Sequence, residues 1–212
     1  VDMTGRSLWT DESFTLLRIQ GSWAEMFTNT VVRQNLITTD LNPPFYFALL
    51  KLWAGAAGDS DFALRLFSVF WSVLALPLSV ALARRLHSNA AGVLTGLFLL
   101  TCPATQWYGW EVRNYAIVEA LAALNGYLVL RWLHGTARER GPRIAIVTGW
   151  LISALAGVYT HYTFAGFAAG QLVAVLPTVW RWLRRMPRPQ VLRVAGAIGL
   201  LAAALWVSGL SE

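Results

Sequence analysis

Asp11 and Glu12 are adjacent carboxylates in Leu8-Trp9-Thr10-Asp11-Glu12-Ser13-Phe14, with bulky apolar groups on either side. Neighbouring acids on a short segment cannot relax far apart. Such a pair solvates itself, binds a cation, or has its two pKa values pushed apart for acid–base work. Asp11 could equally cap a helix that starts near Glu12. Three other stretches gather polar and aromatic side chains: Asn42-Pro43-Pro44-Phe45-Tyr46, Tyr108-Gly109-Trp110-Glu111-Val112-Arg113-Asn114-Tyr115, and Tyr159-Thr160-His161-Tyr162. Together with the acid pair they offer carboxylates, one guanidinium, one imidazole and several aromatic rings. Each signal is weak alone: Arg113 could snorkel to an interface, His161 could serve a tight turn, and Tyr108, Tyr115 and Tyr162 read first as interface aromatics. Their value as a site depends on whether the chain brings them together.

The elements that would position them are membrane helices. The 212-residue chain is 56% hydrophobic and 13% charged, with mean hydropathy +0.50. A soluble domain carries about 25% charge. The net charge of +6 invites a nucleic-acid partner, but the basic residues sit in short clusters between apolar runs, as topology determinants do. The single cysteine, Cys102, lies inside an apolar run and excludes an internal disulfide or a zinc framework. Val1–Arg6 is polar and has no signal-peptide core, and the last residues follow directly on an apolar run. The expectation is a piece of a longer chain.

Phe14, Leu17, Ile19, Trp23, Met26 and Phe27 recur at helical spacing, which predicts one or two short interfacial helices within residues 1–42. Pro43-Pro44 opens an apolar helix to about Ala57, short for a span and carrying Lys51. Six longer runs follow, at 62–83, 90–107, 113–132, 144–160, 163–180 and 194–209. The links after the first, third and fifth hold Arg84, Arg85, Arg131, Arg138, Arg140, Arg143, Arg181, Arg184, Arg185, Arg188 and Arg193, and are expected on the cytoplasmic side. Trp107 and Trp110 then mark the outer boundary, and Trp132, Trp180 and Trp182 the inner one. The expected fold is an all-α polytopic transmembrane bundle of about six spans plus juxtamembrane helices. Residues 1–61 form an outer loop region and 62–212 the membrane module. On this topology Asp11, Asn42, Glu111 and His161 share the outer face. Glu119, eight residues after Glu111 and four after Tyr115, needs a bundle interior or a watery cavity. Asp40 could join the outer group, whereas Glu25, Asp59 and Asp61 read as solvated charges.

The order Trp9-Thr-Asp-Glu-Ser-Phe, Asn42-Pro-Pro-Phe-Tyr, Ala63-Leu-Arg-Leu, Ala83-Arg-Arg-Leu, Trp107-Tyr-Gly-Trp-Glu-Val-Arg-Asn-Tyr-Ala and Tyr159-Thr-His-Tyr resembles the C-type (GT-C) membrane glycosyltransferases. The closest branch is that of bacterial relatives of protein O-mannosyltransferases and lipid A aminoarabinose transferase. The resemblance covers nearly the whole chain. It implies transfer of a sugar from a polyprenyl-phosphate donor to a glycan, lipid or protein hydroxyl, at the outer face of a bacterial inner membrane. It also implies Asp11 as catalytic base with Glu12 beside it. Arg113, His161, Asn42, Tyr46 and Tyr115 become candidates for donor phosphate or sugar binding. Glu111 and His161 match positions near a bound divalent cation such as Mg, Mn, Ca or Zn. The family commonly has histidine where this chain has Asn42, an amide that cannot titrate and ligates metal poorly. Family members also carry one span before the first outer loop and further spans after the last run here.

The residue types suit that chemistry on their own terms. A hydroxyl acceptor needs a positioned base, and a leaving lipid phosphate needs a cationic partner. Pro77, Pro103 and Pro177 keep a transporter open as possible helix breaks. A non-catalytic membrane scaffold of the same fold is a third possibility.

Overall fold

The computed structural model describes residues 8–28, 30–33, 36–39, 41–134 and 143–185. The run at 194–209 lies outside these residues. Within them the order is α1 (Thr10–Gln20), α2 (Trp23–Phe27), β1 (Thr30–Arg33), β2 (Leu36–Thr39), α3 (Phe45–Ala57), α4 (Asp61–Leu86), α5 (Asn89–Thr101), α6 (Pro103–Trp110), α7 (Tyr115–His134), α8 (Arg143–Val158) and α9 (Thr163–Arg185).

The two short amphipathic helices expected near the start are α1 and α2. Between them and α3 stands an element the all-helical expectation omits. β1 and β2 form an antiparallel hairpin, with Thr30 opposite Thr39 and Arg33 opposite Leu36. Thr30-Val31-Val32 and Ile37-Thr38-Thr39 are β-branched, and such residues lose side-chain freedom in a helix and favour a pleated ribbon. The rest of the described chain is helical.

Side-chain capping explains three of the helix starts. Ser22, Ser60 and Ser88 accept the amides of Glu25, Ala63 and Ala91 at the heads of α2, α4 and α5. α3 follows Pro43-Pro44 and stops at Gly58, whose φ of +87° suits a residue without Cβ. Lys51 answers the question of a charge in that apolar helix. Its ammonium donates to the Ile19 and Gly21 carbonyls, so it caps the C-terminal end of α1 and fixes α1 on α3.

α4 has 26 residues and α7 has 20, and each is long and apolar enough to cross a membrane. At 1.5 Å per residue they reach about 39 and 30 Å, against a hydrocarbon core of about 30 Å. The run at 90–107 is not one helix. Cys102 is extended (φ −71°, ψ 118°) and Pro103 starts a new helix, so α5 ends after 13 residues. Proline lacks the amide that would continue α5 and drives its predecessor out of the helical region. The 144–160 and 163–180 runs become α8 and α9.

One core draws on both sides of the 61/62 boundary, combining Ile19, Met26, Tyr46 and Leu50 with Leu64, Phe67, Val112, Ile117 and Phe164. The chain forms two compact units, Val1–Gln171 and Leu172–Glu212, with the division inside α9. Outside that core, large apolar side chains face outward: Phe70, Val73 and Leu74 on α4, Leu94, Leu97 and Phe98 on α5, and Ile152 and Leu155 on α8. Charged side chains run the other way, with Glu12, Arg18 and Arg65 each at most 2% exposed.

The turn between α8 and α9 is tight. A Cβ at Gly157 would lie 2.5 Å from the ring of Phe164, which is buried. Gly157→Ala should therefore lower stability by about 1–3 kcal/mol through overpacking. Gly166→Ala, with nothing within 4 Å of the added carbon, should be neutral or stabilising. Thermal unfolding of the solubilised chain compares the two, and equal effects would contradict this packing.

Candidate functional site

The site begins with a charge at the head of α4. Arg65, four residues into a long apolar helix, is 1% exposed and needs a counter-ion. Glu12 supplies it: its Oε2 lies 3.2 Å from Arg65 Nη2. The same oxygen accepts the Trp9 amide at 3.3 Å, which closes the first turn of α1. Its other oxygen accepts the Val112 amide at 2.9 Å. One carboxylate thus joins α1, α4 and the segment between α6 and α7. Because α1 starts at Thr10, Asp11 lies in the first turn and does not cap the helix.

α4 grips the same segment twice more. Ser68 and Ser72, one turn apart, donate to the carbonyls of Glu111 (2.6 Å) and Gly109 (2.9 Å). A side chain at 109 would meet the Ser72 hydroxyl, which accounts for the glycine. Asn114 donates to Thr160 O at 2.9 Å, and the Phe45 amide donates to Tyr159 O at 2.9 Å. Arg18 reaches Asn42 O at 2.8 Å and Met26 O at 3.1 Å while lying over the Phe47 ring. The four stretches singled out in the sequence therefore meet in one place.

Within it the two acids do different things. Both oxygens of Glu12 are engaged by protein donors. The Asp11 side chain is 44% exposed and lies 3.9 Å from Arg113 Nη2, a loose pair at the edge of ion-pair distance. Beside them is a group of unmet polar atoms. Both carboxylate oxygens of Glu111, the Tyr46 hydroxyl and the Arg113 Nε are buried without a well-formed hydrogen bond among the described residues, although the Trp9 indole lies near Glu111 and the Ser68 hydroxyl near Tyr46. Buried polar atoms are seldom left so, and a cluster of them points to a ligand or ordered water. Burial pushes the Glu111 carboxyl above the usual carboxylate range, and the nearby Glu12 and Asp11 add to this against the Arg113 guanidinium and the Trp9 indole. Burial raises the Tyr46 phenol too, so it stays protonated and able to donate.

The other candidates are placed as follows. Asn42 lies at the lip through its backbone contact with Arg18. Tyr115 is 38% exposed and packs edge-on against Tyr108, with centroids 4.7 Å apart. His161 is half-buried in the α8–α9 turn, where Nδ1 lies 2.8 Å from the Thr163 hydroxyl and 3.3 Å from its amide. Among the described residues no three His, Cys, Asp or Glu side chains gather to hold a metal ion. Glu111 has oxygens to offer a cation, and the Thr163 contact at Nδ1 leaves His161 Nε2 as its ligating nitrogen. Asp40 lies outside the described residues.

Arg65, Ser68 and Trp9 are parts of the site that sequence reasoning did not assign. A lone arginine entering a long apolar run was the available signal for Arg65. Comparison with family models, curated proteins and solved structures finds no match to this chain.

The Glu111 environment has a pH consequence. Its carboxyl binds a proton more tightly folded than unfolded, so its contribution falls as pH climbs through and above the ordinary glutamate range. The melting-temperature difference between Glu111→Gln and the parent should therefore grow in favour of the variant between about pH 4 and 7. A difference constant with pH would show that the carboxyl is not perturbed.

Proposed function

We propose that this chain is the donor-binding and catalytic part of a polytopic membrane glycosyltransferase. It moves a sugar from a polyprenyl-phosphate donor to an acceptor hydroxyl at the outer face of a bacterial inner membrane. The observation that carries this is the meeting of a half-exposed carboxylate, Asp11, with a mostly buried guanidinium, Arg113, above the buried polar atoms of Glu111 and Tyr46. The apolar exterior and the two span-length helices support a bilayer setting, with α4 and α7 as two of about six spans.

In this reading Asp11 accepts the proton of the acceptor hydroxyl as its oxygen bonds to the anomeric carbon. The bond from that carbon to the phosphate oxygen breaks, and the electron pair leaves with the lipid phosphate. Arg113 neutralises that charge, and the configuration inverts in a single displacement. The loose contact in the free protein fits these roles. A donor phosphate would draw Arg113 away from Asp11 and leave the carboxylate a better base. Glu12 positions Asp11 and does not itself take the proton. Tyr46, as a buried donor, suits a sugar or phosphate oxygen.

A transporter has one observation in its favour. The α5–α6 break borders a cavity of about 370 Å³ between α4, α5, α6 and α7, lined by apolar groups with Ser72, Thr105, Gln106 and Glu119. Solute flux in liposomes tests it directly.

The glycosyltransferase reading is tested by transfer of labelled sugar from a polyprenyl-phosphate donor and by donor binding. Arg113→Ala should weaken donor binding by about 2–5 kcal/mol, as expected when a largely desolvated charge partner is removed. Parental affinity in the variant would reduce Arg113 to a structural or interfacial group.

A further inference from the structure

The cavity at the α5–α6 break has a chemistry of its own. The break follows from Cys102-Pro103, which ends α5 and starts α6. The space it leaves against α4 and α7 is about 370 Å³, within the range of about 300–1,000 Å³ in which small-molecule sites fall. Val69, Val73 and Leu76 of α4 and Leu99 of α5 form apolar walls. Glu119 of α7 is the one charged residue lining it among the described residues.

The neutral polar groups around it have spent their donors on the protein. The Ser72 hydroxyl donates to Gly109 O at 2.9 Å. The Gln106 amide nitrogen donates to Leu100 O at 2.6 Å, which leaves its carbonyl oxygen. The Thr105 hydroxyl is turned to the Cys102 sulfur. Glu119 is half-buried and has no hydrogen bond or ion pair among the described residues. An ionisable group in an apolar helix calls for a partner. What the cavity lacks is a donor that carries positive charge. A metal ion answers poorly, because it needs several ligands, and no three His, Cys, Asp or Glu side chains gather to hold one among the described residues. An ammonium on a hydrocarbon chain answers both needs. Its N–H groups suit Glu119 and the Gln106 oxygen, and its chain suits the walls of Val69, Val73 and Leu76. An aminophospholipid fits worse: its phosphate needs a cation, and no lysine, arginine or histidine lines the cavity among the described residues.

We propose that this cavity binds a single-chain lipophilic primary amine, with the ammonium on Glu119 and the chain against α4 and α5. The site uses neither Asp11 nor Arg113, and it is independent of sugar transfer.

Titration of the full chain in detergent with decylamine, decanol or decanoate tests it, read by native mass spectrometry and thermal unfolding. The three probes share one chain and differ in the charge of the head. The parent should bind decylamine most tightly. Glu119→Gln keeps the shape and removes the charge. It should weaken decylamine about tenfold or more, the worth of a hydrogen bond to a charged group, and leave decanol little changed. The variant should melt no lower than the parent, since it removes an unpaired acid from an apolar helix. Val69→Phe fills the cavity without touching a charge and should weaken decylamine and decanol alike. If Val69→Phe fails to fold, Glu119→Gln decides alone. Equal affinity of the parent for all three probes, or unchanged decylamine binding in Glu119→Gln, would overturn the proposal. So would full displacement of decylamine by an equal concentration of sodium, which would mark an inorganic cation site. Displacement by lyso-phosphatidylethanolamine would overturn it too, by marking a site for a phospholipid headgroup. Labelled-donor transfer is recorded separately: its absence would count against the glycosyltransferase and leave this site standing.

Discussion

The Glu12 carboxylate is where three parts of the chain become one structure. It lies against Arg65 at the head of α4, holds the Val112 amide between α6 and α7, and closes the first turn of α1 on Trp9. Neither charge is near water, and removing one partner of such a pair costs about 3–5 kcal/mol because the other is left buried and unpaired. The placement of Asp11 depends on it, since Asp11 is the preceding residue on the same turn. So does the placement of Glu111 and Arg113, one residue to either side of Val112. Ser68 and Ser72 repeat the grip from α4, so the segment is fixed by three bonds to or through one helix.

The same economy runs through the rest of the described chain. Several charged and amide side chains are turned inward onto backbone carbonyls. Arg18 bonds the Asn42 and Met26 carbonyls, and Asn125 donates to Trp150 O and the Ser153 hydroxyl between α7 and α8. Apolar side chains cover the outer faces of α4, α5 and α8. Water would penalise that arrangement, and hydrocarbon favours it. At one end of α4 the inward-facing polar groups leave an opening at Asp11 and Arg113. At the other, Arg84 is exposed and Arg85 lies half-buried against the Tyr127 ring. Both features follow from one long helix carrying charges only near its ends.

Part of this was legible in the sequence because long apolar helices declare themselves by length and composition. α4 and α7 follow two of the expected runs, and the four polar stretches meet in one place. The α5–α6 break was written in Cys102-Pro103, but hydropathy alone runs through a proline without noticing it. The hairpin was marked by β-branched residues, a signal masked by the apolar periodicity on either side. The division of labour between Asp11 and Glu12 was not legible. Two neighbouring acids look alike until the partner is known, and Arg65 lies 53 residues away. Nor does local sequence show that the Glu111 carboxylate would be buried beside the Trp9 indole and Arg113, since that depends on what the fold brings near it.

We propose that Asp11 performs the chemistry while Glu12 holds it in place. The most direct measurement sets Asp11→Asn beside Glu12→Gln in the full-length protein, with labelled-donor transfer and thermal unfolding recorded on the same preparations. Asp11→Asn should keep the parental melting temperature and lose about two to four orders of magnitude in turnover, the usual worth of a general base. Glu12→Gln should instead lose stability first, by about 3–5 kcal/mol if its bond to Arg65 is broken. Near-parental turnover in Asp11→Asn, or a stable Glu12→Gln that binds donor normally and does not turn over, would contradict this assignment of the two acids.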